Sequence, residues 1–174
     1  PTDEVLIAAK HQSFLDILVI FWAMPRHKFI MKRQLLYAPI LGQYAYRLGC
    51  IPVDRGKRSM AVKKMVADVA AGRANPGQLV IYPQGTRVAP GVKIPYKAGS
   101  SILYTELQQD CVPVAVNVGV FWPKRGIMRH PGTAVVEFMD RVPAGMPAEE
   151  FTARIEDVIE TRSDALLSEA GFKP

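Results

Sequence analysis

A chain of 174 residues with 49% apolar and 22% charged side chains is long enough for one domain with a proper core and too apolar to be disordered. Its 22 Lys and Arg against 16 Asp and Glu leave a formal charge of +6, which favours anionic partners: nucleic acid, phosphorylated metabolites, an acidic carrier protein or an anionic membrane surface. Cys50 and Cys111 form no C-x-x-C pair and read as reduced core residues, and His11, His27 and His130 are too scattered for metal-ligand spacing, so no metal is expected.

In chain order, the run EVLIAA (4–9) suits a buried strand, and SFLDILVIFWAM (13–24) reads as a helix ending before Pro25. KFIMK (28–32) is strand-like, residues 34–48 carry apolar residues at helical spacing, and CIPV (50–53) suits a short strand. SMAVKKMVADVAAG (59–72) reads as an amphipathic helix closed by Gly72. QLVIY (78–82) is the strongest strand pattern, and a long Pro/Gly-rich loop follows it. A helix over 100–109, strands over 112–118 and 133–139 and a final helix over 147–169 complete the chain. This alternation predicts an α/β fold: a single domain whose mostly parallel or mixed central sheet is covered by helices on both faces. No stretch approaches the roughly 18–20 uncharged apolar residues of a membrane span, and no signal peptide is visible. The chain starts at Pro1 rather than Met, so a processed or trimmed form is expected.

Residues 10–16, KHQSFLD, set His11, Ser13 and Asp16 just after the first apolar run. His11 and Asp16 cannot share a face of one continuous helix, because five residues turn it through about 140°. A turn must lie between them. Ser13 sits where an N-cap belongs and Asp16 completes an S-x-x-[DE] capping pattern. From the first helical turn the Asp16 carboxylate could also reach back to one ring nitrogen of His11. Imidazole, with an unperturbed pKa of about 6.5, can take a proton at working pH, and a carboxylate would fix its tautomer. GSS at 99–101 is not a nucleophile elbow, so the base would act on a hydroxyl of the substrate.

Further along, GCIPVDRG places Arg55 after a short strand, IYPQGTR places Gly85, Thr86 and Arg87 after the strongest strand, and YKAG brings Lys97 near a helix start. In open α/β sheets ligands sit outside the carboxyl ends of the strands, where all of these fall. Guanidinium groups grip phosphate, and glycine lets backbone amides approach it. The set HQSFLD, GCIPVDRG, YPQGTR and VPVAVN, in this order, resembles the glycerolipid acyltransferases of the 1-acylglycerol-3-phosphate acyltransferase type. The blocks of that family are H-x-x-x-x-D, G-x-I-[FP]-[VI]-x-R, F-P-E-G-T-R and [VI]-[VP]-[IV]-x-P. The match covers roughly residues 5–120, with blocks at 11–16, 49–56, 82–87 and 112–117, and MKRQLLYAPILG resembles the Lys-containing segment before the second block.

The resemblance implies an acyltransferase domain over 1–174 in which His11 is the general base and Asp16 its partner. Arg55, Arg87, Gly85 and Thr86 would bind the substrate phosphate, with Lys32 and Lys97 as further candidates, and Gln84 would position the substrate. Phe14, Leu15 and Tyr82 are candidates for an acyl groove, although core packing already accounts for them. The implied reaction moves an acyl chain from acyl-CoA or acyl-carrier protein to the sn-2 hydroxyl of lysophosphatidate, with no cofactor. The expected place is the cytoplasmic face of the inner membrane, held peripherally or by an N-terminal anchor ahead of this chain. The basic residues Arg55, Lys57, Arg58, Lys63 and Lys64 make a patch suited to anionic headgroups. Two positions depart from the pattern: Gln84 stands where Glu is usual, and Asn117 where Pro is usual. Gln84 prompts the rival reading of a catalytically silent lipid-binding protein. Lyso-ornithine lipid, another lysophospholipid or glycerol 3-phosphate are rival acceptors. Nucleic acid is not an expected partner, since no interleaved aromatic and basic platform is present.

Overall fold

The computed structural model describes residues 1–47, 50–53, 60, 63, 67, 77–125 and 127–173. Among the described residues, six strands are β1 (Leu6–Ala9), β2 (His27–Lys32), β3 (Ile51–Val53), β4 (Gln78–Ile81), β5 (Cys111–Val116) and β6 (Val136–Phe138). The helices whose bounds fall among the described residues are α1 (Leu15–Ala23), α2 (Leu41–Arg47), α3 (Gly99–Leu107) and α4 (Ala148–Glu169), with a 3₁₀ turn at Arg33–Tyr37. The strands form one sheet in the order β3-β2-β4-β1-β5-β6. β1 to β5 run parallel, and β6 closes one edge antiparallel to β5.

β1 explains the architecture. Its four residues, LIAA, are all buried because helices cover both faces of the sheet, which is why the run is continuously apolar rather than alternating. Leu6 and Ala8 join Leu79, Ile81 and Cys111 on the face covered by α3 and α4, through Leu103, Tyr104, Phe151, Ile155 and Ile159. Val5, Ile7 and Ala9 join Val80, Val112, Val114 and Val116 on the opposite face, against Ile20 and Met24 at the inner side of α1. The Tyr104 and Phe151 rings stack 3.8 Å apart where α3 meets α4.

The elements follow the expected order, with two differences. The helical pattern over 34–48 is interrupted: a 3₁₀ turn precedes Pro39 and α2 begins after it. Proline has no N–H to donate and pushes the preceding residue out of the α region, so apolar spacing alone could not carry one helix through it. β6 is shorter than the run 133–139, because Asn117 Oδ1 takes the Val135 N–H at 2.7 Å before the ladder starts. The amphipathic helix expected over 59–72 lies mostly outside the described residues; Met60, Lys63 and Ala67 within it are helical.

The topology also makes a switch point. From β1 the chain passes through α1 to β2 on one side of the sheet; from β4, the neighbour of β1, it passes through α3 to β5 on the other side. The loops leaving β1 and β4 therefore lead to helices on opposite faces, a switch point at whose carboxyl ends open α/β sheets bind their ligands. Those two loops carry His11 and the segment 82–87.

Candidate active site

The turn required between His11 and Asp16 is present, and Asp16 builds it. Its Oδ2 accepts the backbone N–H groups of Gln12 and Ser13, each at 2.8 Å, while Oδ1 lies 2.9 Å from His11 Nδ1. The carboxylate is fully buried in the first turn of α1, where the helix dipole also favours negative charge. A carboxylate only accepts, so Nδ1 carries the proton and the Nε2 lone pair remains, with no bond to it among the described residues. The expected capping box is only half formed. α1 begins at Leu15 with Phe14 at the N-cap, and Ser13 Oγ accepts from Leu15 N–H at 3.1 Å instead of capping three residues on.

Two contacts that sequence reading did not anticipate hold this turn in place. The His11 carbonyl accepts the Val88 N–H at 2.8 Å, tying it to the loop after β4. Gln12 Oε1 accepts the Gly119 N–H at 3.0 Å, tying it to the chain after β5, and a Cβ on Gly119 would lie 2.8 Å from Gln12 Cβ. Tyr82 then stacks on the imidazole, with centroids 4.0 Å apart and 22° between planes. Its hydroxyl is buried and has no hydrogen-bond partner among the described residues. Burial, with the Asp16 carboxylate acting in the same direction, pushes the phenol well above its ordinary range, so it stays neutral and fixes the ring plane of His11. Of the suggested acyl-groove residues, Tyr82 therefore serves the imidazole, Leu15 packs against the core under α1, and Phe14 is exposed.

The phosphate candidates divide. Gly85 turns with its N–H on the Tyr82 carbonyl at 2.8 Å and φ of +69°, a conformation that favours glycine. A Cβ there would lie 2.9 Å from Lys97 Nζ, so the missing side chain lets Lys97 approach the loop; Lys97 N–H also donates to the Pro83 carbonyl at 3.0 Å. Thr86 is exposed and Arg87 half-buried on the same loop. Lys124 adds a cation that sequence reading did not single out, its Nζ donating to the Arg87 carbonyl at 2.8 Å. Lys32 closes β2 at the same edge of the sheet, and Arg55 lies outside the described residues.

Both departures from the block pattern have structural partners. Asn117 bonds Val135 N–H through Oδ1 and the Leu166 carbonyl of α4 through Nδ2 at 3.3 Å, and its own N–H donates to the Val135 carbonyl, which proline could not do. Gln84 is buried and donates Nε2 to Glu160 Oε1 of α4 at 3.4 Å. A carboxylate at 84 would meet Glu160 at that distance, and would have to bind a proton or share the Lys10 ammonium that pairs with Glu160. Lys10, Tyr96 and Glu160 were missed in sequence. The available signal was Glu160 itself, on the buried stripe of Phe151, Ile155, Ile159, Ser163 and Leu166, where a carboxylate needs a partner. Among the described residues no group of His, Cys, Asp and Glu is arranged to hold a metal ion.

The site therefore pairs a carboxylate-oriented imidazole with a loop of glycine and cations, suited to taking a proton from the hydroxyl of an anionic molecule. A family model described as Acyltransferase matches residues 1–117. A 1-acyl-sn-glycerol-3-phosphate acyltransferase of Pseudomonas aeruginosa is 28% identical over 169 residues, covering 97% of this chain and 64% of that protein. The human 1-acyl-sn-glycerol-3-phosphate acyltransferase beta is 30% identical over 155 residues, covering 87% of this chain and 55% of that protein. The crystal structure of the 1-acyl-sn-glycerophosphate acyltransferase from Thermotoga maritima superposes with a TM-score of 0.78 at 20% identity, over 94% of this chain and 66% of that one, a likeness of fold. The chain thus spans about two thirds or less of the length of these relatives.

Proposed function

The chain belongs to the acyltransferase family, and from that premise we propose that it moves a fatty acyl group from acyl-CoA or acyl-carrier protein to the sn-2 hydroxyl of 1-acylglycerol 3-phosphate, giving phosphatidic acid. The observation that carries this reading is the buried Asp16 carboxylate on His11 Nδ1, which leaves Nε2 as a base. Nε2 takes the proton of the acceptor hydroxyl while its oxygen attacks the thioester carbonyl, and Asp16 stabilises the imidazolium. The tetrahedral intermediate then collapses, and the departing thiolate recovers the proton from Nε2. Arg87 and Lys97, with Arg55 and Lys32 from the matching blocks, hold the acceptor phosphate.

An acceptor panel with labelled acyl-CoA and acyl-carrier protein, read by lipid product, tests this. Phosphatidic acid from lysophosphatidate is expected; transfer only to lyso-ornithine lipid or another lysophospholipid would replace the acceptor, and no transfer at all would leave a silent lipid binder. Arg87→Ala should raise KM for lysophosphatidate by roughly 10- to 100-fold, the loss of a charge-assisted bond of about 1.5–3 kcal/mol, while KM for the acyl donor changes little. Equal losses for both substrates would contradict a phosphate role.

We also propose that the protein works on an anionic bilayer, at the cytoplasmic face of the inner membrane. No helix among the described residues is long and apolar enough to cross a membrane. α1 and its N-cap nevertheless present Phe14, Leu18, Phe21 and Trp22 outward at helical spacing, and Trp22 is 88% exposed. Phe14 meets the edge of Trp122, whose face carries the Arg129 guanidinium at 4.0 Å, so a cation borders the apolar face beside the His11 turn. Flotation with phosphatidylglycerol vesicles should drop in a Trp22→Ser variant; unchanged flotation would remove α1 from the membrane contact.

A further inference from the structure

Lys10 and His11 hang from consecutive positions at the end of β1, so their side chains leave on opposite faces of the sheet. His11 goes to Tyr82 and α1. Lys10 goes to the α4 face, where its ammonium pairs with Glu160 Oε2, both side chains buried. Glu160 Oε1 accepts the Tyr96 hydroxyl at 3.0 Å and Gln84 Nε2 at 3.4 Å. This cluster thus joins the residue before the base to the residue before Gly85, from a helix that lies beyond residues 1–117 of the family match.

Buried ion pairs seldom stabilise a fold more than a well-packed apolar pair of the same volume. Stability alone therefore does not account for this one. Its geometry does something an apolar pair could not: the Glu160 carboxylate accepts only, so it selects the Gln84 rotamer in which Nε2 faces α4. The Gln84 amide oxygen is then left buried, with no partner among the described residues, on the loop that carries Gly85 and Arg87. Such an oxygen calls for a donor, and the hydroxyl of the acyl acceptor is the donor that the reaction brings.

We propose that Glu160, braced by Lys10 and Tyr96, is a positioning residue: it orients the Gln84 amide so that its oxygen receives the acceptor hydroxyl, and it anchors the end of β1 from which His11 departs. The inference rests on the acyl-transfer reading above. It deepens that reading by adding a residue from α4 to the reaction.

The test is the full chain carrying Lys10→Met with Glu160→Leu, assayed with lysophosphatidate and acyl-CoA and melted by circular dichroism. Exchanging the ion pair for apolar residues is close to neutral in itself, but it strands the Tyr96 hydroxyl and Gln84 Nε2, so a cooperative melt with Tm lower by about 5–15 °C is expected. The expected result is a kcat lowered by about tenfold or more, with KM for the acyl donor within about twofold of wild type. Adding Gln84→Ala to this variant should cost little more, although Gln84→Ala alone lowers kcat, because the two act as one unit. A kcat within about twofold of wild type in the folded double variant, or fully additive losses with Gln84→Ala, would overturn the proposal. If the double variant does not melt cooperatively, Glu160→Gln keeps the side-chain shape, and an undiminished kcat in that variant overturns it equally. A wild type that transfers nothing fails the acyl-transfer reading itself, a different result from an active wild type with an indifferent variant.

Discussion

His11→Ala yields a folded protein whose acyl transfer is slower by about 10²–10⁴-fold, the range that a positioned general base supplies. Folding survives because the contact that ties this position to the loop after β4 is made by the backbone carbonyl, to Val88, and alanine retains it. The ring sits at the margin of the site, stacked on Tyr82 and 13% exposed, so its removal opens no deep cavity. Product formation and a melting curve on the same preparation check both halves. Wild-type turnover from a well-folded variant would end the role of His11 as base.

Asp16→Ala loses both activity and stability, unlike the change at His11. Asp16 is the acceptor for two buried backbone N–H groups, those of Gln12 and Ser13, as well as for the imidazole. Removing it strands both donors, at about 1–3 kcal/mol for each, so a total destabilisation of about 2–6 kcal/mol is expected in urea unfolding. Simple loss of a cap, at about 1 kcal/mol, would be too small. Asp16→Asn separates the two effects. It keeps the shape, but it sets an amide with only one acceptor oxygen among three donors. The imidazole can then turn its lone pair toward the amide and present Nε2–H to the substrate, the wrong tautomer for a base. A fall of about 10³–10⁴-fold with only modest destabilisation is expected, by analogy with the same change in Ser-His-Asp enzymes. An Asp16→Asn protein as fast as wild type would refute the orienting role.

Much of this was legible in the sequence, for identifiable reasons. A run such as LIAA or CVPVAV can be continuously apolar only if both faces are covered, so the helix-covered parallel sheet follows from the pattern. His11 and Asp16 were readable as a pair because the contact is local, spanning one turn. What was not legible depends on distant segments. Gln12 finds Gly119 and Gln84 finds Glu160, separations of 107 and 76 residues, and nothing in the spacing of either residue announces its partner. The Ser13 cap is displaced for a different reason: the Asp16 carboxylate folds the turn ahead of α1 by taking the Gln12 and Ser13 N–H groups, and the serine hydroxyl accepts from Leu15 N–H, two residues on, instead of three. The break before α2 was a matter of local chemistry outranking periodicity, since Pro39 overrides an apolar pattern that would otherwise run on.

The reach of α4 into the site has a consequence for how this domain can be divided. Recognition by motif ends at residue 117, yet a chain cut there would keep every motif block and lose the floor beneath them. Leu6, Ala8, Leu79 and Ile81 would face water in place of Phe151, Ile155 and Ile159, and Lys10 would stand in solvent without a carboxylate. β5, deprived of β6, would become an open edge of the sequence CVPVAV, an apolar strand with free backbone groups on which other chains can add, interrupted only at Pro113, which has no N–H. The piece that the family match covers is therefore a fragment prone to aggregate, and any swap of this domain between relatives has to carry α4 along with the blocks.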